Sequence, residues 1–378
     1  MNENLKAIVD QFAIRGTVAE IKPLGEGLIN DTLLVKTAEA DAPNYVLQRV
    51  NTNVFPDVEM LMGNIRAVTR HIRRKLEAAG ESDIDRKVLT FMPTKADPDK
   101  LYTWASDTPE APTPSTGGAQ GASPWRMMIF INDAVTKQAV NPESSEAAGE
   151  AFGKFQAMLA DIPETLGETI KDFHNMEFRL QQLQEVIAKD PVDRVKTVQP
   201  MIDELLSHAG EMTAAERLGR EGKLPKRICH CDTKVNNMMF DKNDQVLCVI
   251  DLDTVMPNFI FSDYGDFLRT AANFTAEDDP DMSKVGFNMD IFKAFTRGYL
   301  RSAKSFLTPL EKEMLPYAAT LFPYMQSVRF LWDYLSGDKY WKCKYPEHNL
   351  DRARNQLQLF RSALEKKPEM AAFIEENA

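Results

Sequence analysis

The 378-residue sequence is poor in cysteine. It has four, Cys229, Cys231, Cys248 and Cys343, too few and too unevenly placed for a disulfide framework. That argues against a stapled secreted scaffold and leads us to expect a reducing, cytoplasmic setting. No apolar run approaches the length of a membrane span, and residues 1–10 carry acids without the apolar stretch of a secretory leader. A basic excess is also missing: the formal net charge is -11, which argues against a nucleic-acid or anionic-membrane partner. A small anion held by a local group of cations remains compatible with that charge. Several catalytic signatures are absent too. Gly219-Arg220-Glu221-Gly222-Lys223 lacks P-loop spacing, and there is no Gly-x-Ser-x-Gly elbow and no His-Glu-x-x-His. Cys229, His230 and Cys231 lack a second ligand pair at zinc spacing, so they read as a packed loop, with His230 bracing rather than reacting.

What is present divides front from back. Residues 17–24, 31–37, 44–50, 87–91 and 125–131 have the β-branched and aromatic content of strands. Within 56–79, Val58, Leu61, Met62, Ile65, Val68 and Ile72 lay an apolar stripe along one helix. Residues 105–124, rich in Pro, Ser, Thr, Gly and Ala, cannot bury enough apolar surface to offset their ordering entropy and read as an exposed insertion. From Asn141-Pro142, a cap followed by a first-turn proline, the pattern turns helical near 143–160, 174–189, 196–209, 287–304, 308–335 and 347–366. We therefore expect two lobes, residues 1–132 and 133–378, forming an α+β fold: an antiparallel-sheet N-lobe and a mainly helical C-lobe.

A non-helical island at 228–257 interrupts the helices. It reads His230-Cys231-Asp232-Thr233-Lys234-Val235-Asn236-Asn237, then a hairpin ending in Ile250-Asp251-Leu252-Asp253. His-x-Asp, four residues, Asn, and a hairpin ending in Ile-Asp is the catalytic-loop and metal-strand arrangement of kinase-like enzymes. Phosphoryl transfer needs a carboxylate to orient the attacking hydroxyl and accept its proton, a role for Asp232. It also needs hard oxygen ligands for Mg2+ on the ATP phosphates, and Asn237 and Asp251 supply them. Leu24-Gly25-Glu26-Gly27-Leu28-Ile29-Asn30 reads either as a glycine-rich phosphate lid, through Gly25, Gly27 and Asn30, or as a Gly-x-Gly hairpin turn.

At these motifs the chain resembles the aminoglycoside phosphotransferase superfamily, and within it the N-acetylhexosamine 1-kinases. The likeness continues through Asn51-Thr52-Asn53-Val54-Phe55-Pro56-Asp57, Asp263-Tyr264-Gly265-Asp266, Arg329-Phe330-Leu331 and Tyr345-Pro346-Glu347-His348-Asn349-Leu350. The resemblance implies a protein-kinase-like two-lobed fold and transfer of phosphate from ATP to the anomeric hydroxyl of an N-acetylhexosamine. It implies Asp232 as base and Asn237 with Asp251 as Mg2+ ligands. Arg329 and Tyr340 would lie at the sugar, and adenine near Phe130 and Ile131. Three departures bear on this picture: Gln48 stands where protein kinases carry a phosphate lysine, Leu28 replaces a histidine beside the sugar, and Thr270 replaces an aromatic after Arg269. The alternatives are a kinase of another small alcohol, for which the acidic run Glu277-Asp278-Asp279 could receive a cationic acceptor, and a catalytically silent sugar- or nucleotide-binding module. The expected partners are ATP and a small-molecule sugar, with the chain a monomer or small homo-oligomer.

Overall fold

The computed structural model describes residues 3–25, 29–106, 121–137, 139–243 and 245–377. Gly27 and Leu28, and most of the 105–124 insertion, lie outside the described residues. In chain order the elements are α1 (Glu3–Val9), β1 (Val18–Pro23), β2 (Asp31–Thr37), β3 (Tyr45–Arg49), α2 (Val58–Ala78), β4 (Tyr102–Ala105) and β5 (Ser123–Ile129). Then come α3 (Pro142–Leu159), α4 (Met176–Lys189), α5 (Gln199–Ser207), α6 (Ala209–Met212), α7 (Ala214–Arg220), β6 (Arg227–Cys229), β7 (Met238–Phe240), β8 (Val246–Val249) and β9 (Met256–Asn258). The chain closes with α8 (Phe261–Ala271), α9 (Met289–Ala303), α10 (Pro309–Glu313), α11 (Leu315–Ser336) and α12 (His348–Asn377). The fold is α+β and protein-kinase-like.

Two compact units are present. The first comprises residues 1–135 with 161–170 and 247–253. Its antiparallel sheet has the order β1-β2-β3-β5-β4. Val35, Tyr45, Leu47, Trp125 and Met127 from the sheet pack with Ile8, Val9 and Phe12 in a core from which water is almost wholly excluded. The stripe read on α2 is buried as expected, and Asp57 caps that helix by accepting from the Met60 N–H at 2.9 Å.

The strand expected at 87–91 does not form. Residues 84–86 make a 3-10 turn, and only Phe91 bridges β5, at Met128. The outer edge of β5 is shared instead. Its first half pairs with β4, while the Met92 N–H bonds the Met127 carbonyl and the Ile129 N–H bonds the Thr90 carbonyl, at 2.8 and 2.9 Å. Neither neighbour is long enough to cover the edge alone.

The second unit comprises residues 136–160, 171–246 and 254–378 and is mainly helical. Helices α3 and α9 meet so closely that a Cβ on Gly298 would lie 1.9 Å from the Glu146 carbonyl oxygen, so only glycine fits there. The helix expected over 308–335 is broken at Met314 into α10 and α11, each opening with a first-turn proline. Nearly all of α8 is buried, among aromatic residues of α9 and α11.

Candidate active site

The loop after β6 is held by carboxylates buried beneath it. Asp263 and Asp266 stand one helical turn apart on α8, so both face the loop. Asp263, fully buried, accepts from the His230 N–H (3.0 Å), the Cys231 N–H (2.8 Å) and the Gln156 Nε2 amide (2.8 Å). Asp266 accepts from the Thr233 N–H at 3.1 Å and pairs with Arg269 at 3.1 Å. Burial pushes the carboxyl pKa of both upward against the lowering effect of these donors. Cys231 takes a left-handed backbone, φ +63°, and among the described residues it is the one position with positive φ that is neither Gly nor Asp. The Asp263 carboxylate holds it there, next to Asp232. His230 is fully buried against Phe152 and Phe155, in keeping with a brace.

Asp232 is partly exposed. Its Oδ2 accepts from Asn237 Nδ2 at 2.9 Å and pairs with Lys234 Nζ at 2.8 Å. Asn237 Nδ2 also bonds the Asp232 carbonyl at 2.8 Å, which fixes the loop's bend and turns the Asn237 amide so that its Oδ1 is left as an acceptor. Lys234, two residues after Asp232, went unassigned in the sequence although Asp-x-Lys was legible there. Beyond the loop, β7 and β8 flank a turn closed by the Asp241 N–H on the Gln245 carbonyl at 2.9 Å. Asp251 is exposed, with left-handed backbone at φ +59°.

The carboxylate of Asp251 and the amide oxygen of Asn237 are hard donors suited to Mg2+, which keeps several waters and takes phosphate oxygens. Among the described residues no group of three or more His, Cys, Asp or Glu side chains could cage a metal. Cys229 and Cys231 are buried, and burial pushes both thiols well above their usual pKa, as expected for a packed loop.

In the first unit, Gln48 proves to be part of a buried network. Its Oε1 accepts from Arg126 Nε at 3.0 Å, and its Nε2 donates to Thr32 at 3.1 Å. Arg126, 2% exposed, grips Asp253 with two bonds of 2.5 and 3.0 Å. Asn30 completes the cage: its Nδ2 donates to Asp253 Oδ2 at 2.7 Å while its Oδ1 accepts the Asn51 N–H at 3.0 Å. A positive charge therefore stands one strand over from Gln48, on β5, and is spent on Asp253. Arg49 points away, paired with Asp31. Gly25 has φ +69° with open space around its Cβ position, so backbone conformation selects glycine there. Phe130 and Ile131 follow β5 directly; the Phe130 N–H bonds the Asn44 carbonyl at 2.9 Å and Ile131 is buried.

Within the second unit, the guanidinium carbon of Arg329 lies 5.3 Å from the ring centres of both Phe173 and Trp341. Tyr340 is exposed and stacks edge-on to Trp341 at 4.6 Å. The loop carrying both is set by Asp333, whose carboxylate accepts the N–H groups of Lys339, Tyr340 and Trp341 at 2.8–3.0 Å. Thr270 bonds back to the Phe267 carbonyl of its own helix at 3.0 Å. Two of the acids at 277–279 are paired: Glu277 with Arg269, and Asp278 with Lys344, with a further contact to the His348 ring.

His174, buried beside Phe173, has a pKa held well below 6.5, first by burial and then by the charges of Arg329, Arg179 and Arg269. The unfolded chain takes up a proton near 6.5 that the folded chain refuses, so stability is lost as pH falls below about 6.5, by up to ~1.4 kcal/mol per pH unit from this one group. Urea unfolding at pH 7.5 and 5.5 should show a smaller loss for His174→Gln than for the wild type; an equal loss would assign the effect elsewhere.

Solved structures share the architecture. The aminoglycoside phosphotransferase from Alicyclobacillus acidocaldarius is 14% identical with a TM-score of 0.57, covering 98% of this chain and 95% of its own. Amicoumacin kinase hAmiN, solved with AMP-PNP, Ca2+ and Ami, is 13% identical at TM-score 0.57 over 95% and 96%. Plasmodium vivax ethanolamine kinase is 13% identical at TM-score 0.53 over 94% and 85%. At such identities these likenesses establish the fold. The sequence signature of the phosphotransferase enzyme family matches residues 20–301, well over half the chain, and the chain belongs to that family.

Proposed function

We propose that this phosphotransferase is a small-molecule kinase that moves the γ-phosphoryl group of ATP to the anomeric hydroxyl of an N-acetylhexosamine or related sugar. The observation that carries the reading is the state of Asp232: among the described residues its bonds to Asn237 and Lys234 fall on Oδ2, leaving Oδ1 to receive a proton from an acceptor hydroxyl. The sugar oxygen attacks the γ-phosphorus, its proton passes to Asp232, and the bond to the β-phosphate oxygen breaks to release ADP. Asn237 and Asp251 would hold Mg2+, which when bound neutralises charge on the phosphates. Lys234 adds a cation beside the base. Tyr340 and Trp341 offer aromatic faces to a sugar ring. The first unit would take the nucleotide, through Gly25 and the segment Phe130–Ile131.

A second reading, a kinase of an amino alcohol or aminoglycoside, is favoured by the names of the structural relatives. Glu277 and Asp278, two of the three acids that could receive such acceptors, are already paired with Arg269 and Lys344, which weakens this reading. ADP release should be measured across free hexoses, N-acetylhexosamines, choline, ethanolamine, homoserine and kanamycin. Turnover confined to the sugars is expected; turnover confined to the cationic alcohols would discard the sugar reading. Tight sugar binding with no turnover of any acceptor would favour a silent module.

A further inference from the structure

In this chain, strongly buried guanidiniums are neutralised by carboxylates, as Arg126 is by Asp253 and Arg269 by Asp266 and Glu277. Two half-buried arginines of the second unit are not. Arg329, between Phe173 and Trp341, gives a hydrogen bond to the Gln326 side chain at 3.1 Å and has no carboxylate at ion-pair distance among the described residues. Arg179, on α4, spends Nε and Nη2 on the Phe173 carbonyl (3.2 and 2.7 Å) and Nη1 on Gln182 (2.8 Å), again without a carboxylate. Both converge on Phe173, one on its ring and one on its carbonyl. Burial and the neighbouring charge of Arg329 lower the Arg179 pKa to about 9. Two partly desolvated cations side by side, with carboxylates acting on them only from beyond ion-pair distance, are costly to keep unpaired.

A third group points the same way. His174 is 8% exposed, stacked on Phe173 at 4.3 Å, and its Nδ1 is buried with no hydrogen-bond partner among the described residues. Buried polar nitrogens are seldom left so unless something else fills the bond. The cluster belongs to the same unit as the loop of Asp232: Asp266, which holds the Thr233 N–H, pairs with Arg269, and the charges of both act on Arg329.

We propose that Arg179 and Arg329, with His174 beside them, form an oxyanion subsite, so that the preferred acceptor is a sugar carrying a carboxylate or a phosphate ester. The proposal rests on the sugar-kinase reading and sharpens it. Guanidiniums bind such groups by charge-assisted, often bidentate hydrogen bonds, and the same charges repel ammonium-bearing acceptors. Trp341, Tyr340 and Trp332 border the cluster and supply apolar faces for the ring.

The test uses the full chain with ATP and Mg2+ and measures kcat/KM for matched acceptors: glucose against glucuronic acid, and N-acetylglucosamine against its 6-phosphate. At least one anionic member should exceed its neutral partner about tenfold or more. The pair that shows the preference tells carboxylate from phosphate ester. In Arg179→Gln and in Arg329→Gln the ratio should collapse toward one; should either variant fail to fold, the wild-type ratio decides alone. Neutral sugars turned over with an anionic-to-neutral ratio at or below one would overturn the subsite and leave the sugar kinase standing. No turnover of any sugar would overturn both.

Discussion

Asp232→Asn is expected to lower kcat by about 10²–10⁴-fold, the usual contribution of a positioned general base. The amide keeps the shape of the carboxylate and can still accept from Asn237, so the loop's geometry survives. What it loses is the capacity to take a proton, together with the ion pair to Lys234. That pair is partly exposed and contributes little to stability. Nucleotide affinity and the unfolding midpoint should therefore stay close to wild type while turnover disappears. If Asp232→Asn kept more than about a tenth of the wild-type kcat, Asp232 would not be the base.

The second large effect belongs to stability. Arg126 and Asp253 are 2% and 3% exposed and bonded through both terminal guanidinium nitrogens and both carboxylate oxygens. Removing one partner strands the other's charge in a dry interior, so Asp253→Leu or Arg126→Met alone should cost the first unit about 3–5 kcal/mol. Restoring charge balance with both substitutions should recover much of that loss, because the dominant penalty is the uncompensated ion. Asp253 lies two residues from Asp251, and its cage of Arg126, Asn30 and Gln48 fixes the backbone on which Asp251 sits. Each single variant should thus also lose turnover. Urea unfolding of the two single variants and the double variant measures the coupling; additive losses would show that the pair is not a unit.

Relations between residues close in the chain are legible as spacing, whereas relations made across the fold are not. Asp232 and Asn237 belong to one short loop, so their relation was legible as spacing, and the structure joins them directly. Gln48 was legible only as a missing lysine. Its partner Arg126, whose charge is held by Asp253, sits far along the chain and becomes its neighbour through pairing of β3 with β5, which no local pattern announces. Helix α8 is 11 residues long and carries its acids Asp263 and Asp266 on a buried face, so no solvent-facing polar side marks it out in the sequence. Asp263 and Asp266 were seen as a motif, but their work as anchors of backbone N–H groups depends on the loop arriving above them. Arg179 gave no signal at all: an arginine on an amphipathic helix reads as solvated until its surroundings are known. The strand expected at 87–91 failed for a related reason, since apolar content there serves a single bridge and a turn.

The most direct test incubates the chain with ATP, Mg2+ and a mixture of free hexoses, uronic acids and N-acetylhexosamines, and reads the product by phosphorus NMR and mass spectrometry. We expect ADP and a sugar phosphorylated on its anomeric oxygen, formed by the wild type and not by Asp232→Asn. Phosphate found on a different hydroxyl, or a product formed equally by the Asp232→Asn variant, would contradict it.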